Sequence, residues 1–448
     1  MGYKSHEHKE VMYNYFVSSL NINTHPLSGK KENAKLLYYA ILEHFINSCM
    51  LDAEYANARL SQYRSFLVSN ETIKPLTDKN CAKVIRTVID DSLKPWRRKY
   101  CFTLLCDIAL IVFNPSTVEK VCGIMSKYIS KRKLAKINLL LATLYSNNAI
   151  PPLFACVENL ITQFRINYEF AARQEMRIIV TANISAGKST LINALIGKPI
   201  TRTAQEACTA NLCFLYNKPF EDDRIHLLAS PLNLNATYDD LLNIKKEAVC
   251  SIASYFRTSE NPIARVCLID TPGVNSALNS NHRKLTYKAI IEENYDKLIY
   301  VLNANMLGTE DELEHLKFIR RNVSNDKIIF VINKLDCFKS SEDSISASIN
   351  DVKTDLLKIG FENPLICPLS AYFSLLLKMK QNNEILNEDE QDVFDYYVKK
   401  FNKPEYNLSK YHSRTLDDII YNGDDLMDLS YISGLYHLEN ILYGGNKK

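Results

Sequence analysis

The sequence predicts two parts: an all-α domain over residues 1–170, then an α/β domain over 171–448 with a mostly parallel central sheet and helical insertions. Three observations predict this. Apolar residues recur at helical spacing almost without interruption up to about Gln174. From Met176 onward, short β-branched runs alternate with helical patterns, the texture of parallel strands joined by crossover helices. Between Met176 and Gly197 a strand, a tight small-residue turn and a helix follow one another, which is the context of a phosphate-binding loop.

Composition sets the bounds. A chain of 448 residues is long enough for two or three domains, and 46% hydrophobic residues suffice for ordinary cores. A net charge of +3 does not point to nucleic acid or to an acidic membrane surface. The twelve cysteines form no CxxC pair, and the polar start Met1-Gly-Tyr-Lys-Ser-His6 reads as neither a secretory signal nor a myristoylation site. They read as reduced, mostly buried thiols of a cytosolic protein, Cys101 and Cys106 included. The longest apolar run, Cys101 to Phe113, is too short to cross a bilayer and contains Asp107, so a core helix is expected.

In chain order, a short helix is expected near Val11 to Leu20. From Glu32 to Phe66, Leu36, Leu37, Ala40, Ile41, Phe45 and Ile46 recur at helical spacing. Asp78 to Leu93 repeats the pattern and Pro95 ends it. Arg98 to Phe113, Ser116 to Ile129 and Leu134 to Tyr145 follow, with Ser116 or Thr117 as the cap after Pro115. Pro151-Pro152 opens a long helix through about Gln174. Lys127 to Lys136 is the most basic patch; it reads as a solvated helix end, with an acidic lipid or protein surface as the alternative. Strands are expected at Asn211–Tyr216, Arg224–Leu228, Ala264–Ile269, Lys297–Leu302, Lys327–Ile332 and Pro364–Leu369. A polar insertion over 229–260 reads as helical from Tyr238 to Tyr255, and a charged helical insertion occupies 373–425. Ser433 to Leu442 reads as a closing helix.

The chemistry sits in five places. In Thr181-Ala-Asn-Ile-Ser-Ala-Gly-Lys-Ser-Thr190, backbone N–H groups and a helix dipole converge on one point. The loop residues Asn183, Ile184, Ser185, Ala186, Gly187 and Thr190 surround it. Gly187 permits close approach of phosphate, Lys188 supplies charge to β- and γ-phosphates, and Ser189 offers a hydroxyl to Mg²⁺. Ala182 stands where the usual pattern opens with glycine, so a slightly different loop entry is expected. Asp270-Thr-Pro-Gly273 follows a strand; Asp270 can hold Mg²⁺ through water and Gly273 can touch the γ-phosphate. Asn333-Lys-Leu-Asp336 ends another: Asn333 suits a purine edge, Lys334 lies between, and Asp336 matches the N1–H and amino group of guanine. Ala371 can meet guanine O6, with Ser370 shaping that turn. Thr209 is the first candidate to complete the Mg²⁺ shell, ahead of Thr201 and Thr203.

Ile184-Ser-Ala-Gly-Lys-Ser189, Glu206-Ala-Cys-Thr-Ala210, Asp270-Thr-Pro-Gly273 and Asn333-Lys-Leu-Asp336 resemble the bacterial members of the dynamin superfamily of large GTPases. The resemblance covers about 170–372 and the closing helix, not 1–165. It implies a P-loop GTPase domain that hydrolyses GTP to GDP and phosphate with Mg²⁺. It further implies modest nucleotide affinity and stimulation by a homodimer formed through GTPase domains. Ser185, Lys188, Thr209 and Gly273 are then the catalytic set, with Ser185 placing charge-compensating groups near the leaving phosphate. Ile184 stands where eukaryotic dynamins carry a water-orienting glutamine, so Thr209 or a backbone group is expected to place the water. Members that remodel membranes carry a long stalk after this domain; the chain ends at Lys448, so membrane fission by it alone is not expected. That leaves room for a stalk-bearing or membrane-bound protein partner. No nucleic acid is expected, direct membrane binding is left open, and the location is cytoplasmic or peripheral at a membrane. The alternatives are a regulatory switch acting on a protein partner and a low-turnover GTP-binding scaffold.

Overall fold

The computed structural model describes residues 14, 16–49, 54–68, 76, 82–86, 98–183, 185–201, 211–228, 231–243, 250–259, 262, 264–274, 280–304, 308–339, 343–412 and 425–444. The chain divides into two compact units: Met1–Arg173 with Lys218–Asn235, and Gln174–Asn217 with Ala236–Lys448. Residues 218–235, inside the stretch read above as the second domain, thus group with the first.

The first unit holds helices α1 (Glu32–Asn47), α2 (Glu54–Leu67), α3 (Arg98–Val112), α4 (Pro115–Met125), α5 (Lys131–Leu144) and α6 (Glu158–Ala172). The expected run from Glu32 to Phe66 is two helices, and Pro152–Val157 is a 3-10 turn before α6. At α4 the cap is Asn114, whose side chain accepts from the Thr117 N–H, with Pro115 at the first helical position; neither Ser116 nor Thr117 caps it. Of the helix expected at Asp78–Leu93, 82–86 is helical and the rest lies outside the described residues. Lys131 and Arg132 of the basic patch are exposed.

Helix α3 is the core, with Leu105, Cys106, Ile108, Ala109 and Ile111 fully buried. Its Asp107 is fully buried too. A lone carboxylate there would cost several kcal/mol, and three donors offset that cost. Tyr63 donates to Oδ1 at 3.0 Å, Tyr38 donates to Oδ2, and His25 Nε2 lies 3.0 Å from Oδ2. Burial pushes both phenols well above their ordinary range, so they stay protonated and donate.

Of the helix expected near Val11–Leu20, residues 14 and 16 are helical, 17–20 are turn and irregular backbone, and the rest lies outside the described residues. Long-range acceptors explain the difference: the Ser19 N–H donates to Asn167 Oδ1 and the Leu20 N–H to Asp222 Oδ2, each at 2.8 Å. Asp222 also accepts from Lys218 Nζ at 2.6 and 2.8 Å, and that ammonium lies 3.1 Å from His226 Nε2. The other ring nitrogen, Nδ1, meets the Phe16 carbonyl at 2.7 Å. Burial, then Lys218, holds His226 well below its usual pKa, so the ring is neutral: Nδ1–H donates and Nε2 accepts.

The second unit is the α/β part. In it seven strands stand in the order β5-β2-β6-β1-β7-β8-β9. They are β1 (Glu175–Ala182), β2 (Cys213–Asn217), β5 (Cys250–Ser254), β6 (Arg265–Asp270), β7 (Lys297–Asn303), β8 (Ile328–Asn333) and β9 (Ile366–Pro368). β3 (Ile225–Leu227) and β4 (Asn233–Ala236) are neighbours of one another. All pairs from β6 through β9 are parallel, as is β5 with β2, and β2 against β6 is antiparallel. The helix read over Tyr238–Tyr255 is instead α8 (Tyr238–Leu242) and strand β5. Cys250-Ser-Ile-Ala-Ser254 is wholly buried and pairs with β2, so ladder pairing and burial override a weak helical pattern.

Helices between strands are α7 (Lys188–Ile196), α9 (Ser280–Glu292), α10 (Glu310–Asn322) and α11 (Ile345–Ile359), and α12 (Ala371–Gln381) follows the last strand. The charged insertion forms α13 (Glu388–Phe401), opened by a reciprocal cap between Asn387 and Glu390. α14 (Asp425–Ile432) and α15 (Leu435–Tyr443) close the unit. Registers Val180↔Asp270, Ala182↔Val301, Asn303↔Asn333 and Ile332↔Pro368 bring the ends of five strands to one carboxyl edge, where parallel α/β sheets hold their ligands.

Candidate functional site

The phosphate-binding loop leaves that edge at Ala182. Ala182 is still in the strand, paired with Val301 and fully buried, so no positive φ falls on it. The turn is made downstream, with φ of +62° at Ser185 and +87° at Gly187. The altered entry expected from the missing glycine therefore does not arise, because extended backbone suits alanine. Gly187 is required for a second reason: a Cβ there would stand 2.3 Å from Asn333 Nδ2.

Asn333 is the keystone of the loop. Its Nδ2 donates to the Ala186 carbonyl at 2.9 Å and its Oδ1 accepts from the Ala371 N–H at 3.0 Å. Its own carbonyl accepts from the Ala304 N–H at 3.0 Å. Asn333 and Ala371, both expected at the purine, thus hold each other and the loop in this structure. Lys334 adopts φ of +68°, and its stem reaches Gly187.

Lys188 opens α7 and its ammonium pairs with the Asp270 carboxylate. Asp270 ends β6, and the next residue clamps it: the Thr271 hydroxyl donates to the Val180 carbonyl at 3.0 Å. Pro272 accepts from the Thr286 hydroxyl at 2.8 Å, and Gly273 follows. Ser189 and Thr190 are half-buried in the first turn of α7, and Asn183 is half-buried at the loop's start. The Ser189 hydroxyl and Asp270 carboxylate are hard oxygen donors, which fit Mg²⁺. Thr201 is engaged elsewhere: its hydroxyl donates to the Ser189 carbonyl and bonds Asn193 Oδ1, each at 2.9 Å. Ile184, Thr203 and Thr209 lie outside the described residues.

Asp336 is buried, in the turn after β8. Oδ1 accepts from the Ser370 hydroxyl at 2.7 Å and Oδ2 from the Tyr397 hydroxyl at 2.8 Å. Burial first, then Asp336, raises the Tyr397 pKa, which keeps the phenol a donor. A carboxylate has about four lone-pair directions, so both oxygens retain capacity for a further donor pair. The Ser370 N–H is itself fixed by the Ser433 carbonyl at 3.0 Å.

Sequence reading missed two residues here. Asn303 donates from Nδ2 to the Ser185 carbonyl at 3.3 Å. Its signal was available: a polar residue ending an apolar strand, level with Asn333 on the next. Tyr397 gave none, because it reaches Asp336 from 61 residues away on a charged helix.

Comparison with known proteins agrees with this geometry. A family model described as the dynamin family matches residues 178–335. An uncharacterized protein in the xynA 3′ region of Caldicellulosiruptor sp. (strain Rt8B.4) is 28% identical over 249 residues, 51% of this chain and 57% of that one. The probable transmembrane GTPase FZO-like, chloroplastic, of Arabidopsis thaliana is 26% identical over 271 residues, 59% of this chain and 26% of that one. Dynamin-like protein A of Bacillus subtilis (strain 168) is 29% identical over 179 residues, 38% of this chain and 14% of that one. The chain thus spans less than two thirds of each of these relatives. The phosphate loop, Asp270 and Asn333, which converge on one sheet edge, all fall within the stretch 178–335 that is similar to the dynamin family.

Proposed function

We propose that this protein binds GTP and hydrolyses it to GDP and phosphate, in a cycle that pairs GTPase domains and moves the helical unit. The observation that carries the reading is Asp336, a buried carboxylate aligned by Ser370 and Tyr397. Guanine offers it an N1–H and an amino group side by side. Adenine offers no such pair, and a buried carboxylate left short of donors costs several kcal/mol.

The chain's own groups divide the work. Loop N–H groups from Ser185 to Ser189 and the α7 dipole hold the phosphates. Lys188 turns from Asp270 to the β- and γ-phosphates, and Ser189 and Asp270 are then free to hold Mg²⁺. Bound there, Mg²⁺ neutralises charge that develops on the phosphates. Ser185 helps compensate charge at the leaving phosphate, and Thr209 completes the metal shell. Gly273 meets the γ-phosphate and moves when it leaves. Water attacks the γ-phosphorus as the bond to the bridging oxygen breaks.

A second reading, a switch or low-turnover scaffold acting through a protein partner, is favoured by Ile184, which has no hydrogen-bonding side chain to orient water. No helix among the described residues is long and apolar enough to cross a membrane, so a membrane-bound partner belongs to either reading. GTP turnover measured across protein concentrations, with ATP as control, separates them. Specific activity that rises with concentration, for GTP alone, is the expected outcome. A flat slow rate supports the switch, binding without turnover supports the scaffold, and equal use of ATP removes Asp336 from its role.

A further inference from the structure

On the far side of the Asp336 turn lies a cavity of about 390 Å³, lined by Lys339, Lys399, Lys400 and Lys403 with Tyr396 and Tyr406 among its walls. No carboxylate is among the described lining residues. Lys400 sits deepest, only 8% exposed. Its ammonium donates to the Asp336 carbonyl at 2.6 Å and the Phe338 carbonyl at 2.5 Å. It stands 4.7 Å from the Tyr406 ring centre and 5.7 Å from that of Tyr396. An ammonium has three donors, and among the described residues the groups around it are two carbonyls and two ring faces, all neutral. A charge this buried is ordinarily matched by an opposite one.

The neighbours add to the imbalance. Lys399 and Lys403, both exposed, bring two more positive charges to the same lining. The dipole of α13 favours Lys399 and Lys400, which lie in its last turn. It does not account for Lys403, which lies beyond the helix end. Four cations from two segments face one concavity, and concave walls focus a positive potential.

We propose that this cavity binds a small, multiply charged, phosphate-bearing anion, at a site separate from the phosphate loop. The lysine ammoniums supply point charges and donors, and the two phenol rings shape the walls. The reading does not depend on which nucleotide the main site takes.

The test uses the full chain and inorganic tripolyphosphate as probe, followed by calorimetry. Because the phosphate loop also attracts this probe, binding is measured in the Lys188→Ala background, with and without Lys399→Glu and Lys403→Glu. The expected result is a binding event that survives Lys188→Ala and weakens at least tenfold with the two reversals. Lys399→Gln with Lys403→Gln, which only removes charge, is expected to weaken it less, and unchanged thermal melts show that the variants fold. Loss of binding with Lys188→Ala alone, or indifference to the reversals, overturns the proposal. Sedimentation with phosphatidylcholine vesicles, with and without phosphatidylglycerol, identifies the source. Binding to the anionic vesicles through the same two lysines assigns the site to a lipid headgroup, and binding of the soluble probe alone assigns it to a free phosphate compound. Binding of neither overturns the proposal.

Discussion

Lys188 and Asp270 hold each other, and in the proposed cycle each is needed elsewhere once phosphate and metal arrive. Their separation is therefore part of the cost of binding. Asp270→Asn removes the attraction and frees Lys188. Nucleotide affinity measured without Mg²⁺ is expected to rise by roughly threefold to tenfold, about 0.7 to 1.4 kcal/mol, the range of a partly buried pair. Turnover with Mg²⁺ is expected to fall by about a hundredfold or more, because the metal loses its anchor. Turnover that stays normal would mean that Asp270 is not a metal-site residue. At this scale the sequence was legible wherever a residue belongs to a contiguous motif: Lys188, Asp270, Asn333 and Asp336 all stand at the sheet's carboxyl edge. The roles were less legible. Asn333 reads as a base-contacting group, and the structure adds that its amide joins the loop at Ala186 to the helix start at Ala371.

Elements from the end of the chain brace the turn at Ser370, beside Asp336. Gly434 stands between α14 and α15 with φ of +90°, and a Cβ there would lie 2.3 Å from the Pro368 carbonyl. The preceding residue, Ser433, accepts from the Ser370 N–H. Gly434→Ala is expected to destabilise the protein by about 1–3 kcal/mol. It should also weaken GTP binding more than it slows turnover, checked by thermal melts and a KM-against-kcat comparison. Buried histidines set an acid limit on the same unit. Burial holds His315, on α10, and His412, which stacks on His437 of α15, at about 3. These bases are neutral when folded and ionise near 6.5 when unfolded, so the unfolded state takes up more protons below that pH. Their stabilisation is full above about 6.5 and drains away as pH falls toward 3, by about 1.4 kcal/mol per pH unit for each. Melting temperature is expected to drop between pH 7 and 5, with His315→Leu showing a shallower slope. An identical slope would mean that His315 does not contribute. The closing helix was readable from its spacing, and β5 was not: five small or apolar residues carry no period that separates strand from helix until β2 lies beside them.

At the scale of the molecule, the helical unit is not one continuous piece of chain. It takes in residues 218–235 as well as 1–173. No local pattern announces this, because Ser19, Leu20 and Phe16 find partners about 200 residues downstream, in the Phe220 carbonyl, Asp222 and His226. Asp222 is the center of that junction, and its loss strands the buried Lys218 ammonium. Asp222→Ala is expected to cost about 3–5 kcal/mol, read as a lowered melting temperature, whereas the exposed neighbour change Asp223→Asn, which keeps a residue suited to that position's φ of +56°, is expected to move it little. Equal effects from both would show that the buried pair has no special weight. The split has a consequence for synthesis. As the chain leaves the ribosome, the helical unit cannot finish assembling when residue 173 appears. It waits while β1, the phosphate loop and β2 emerge, and closes only when Asp222 and His226 arrive. The part made first is completed late, so a chain of this sequence stalled between 174 and 217 is expected to hold a helical unit whose Leu20 N–H and Phe16 carbonyl still lack their folded-state partners.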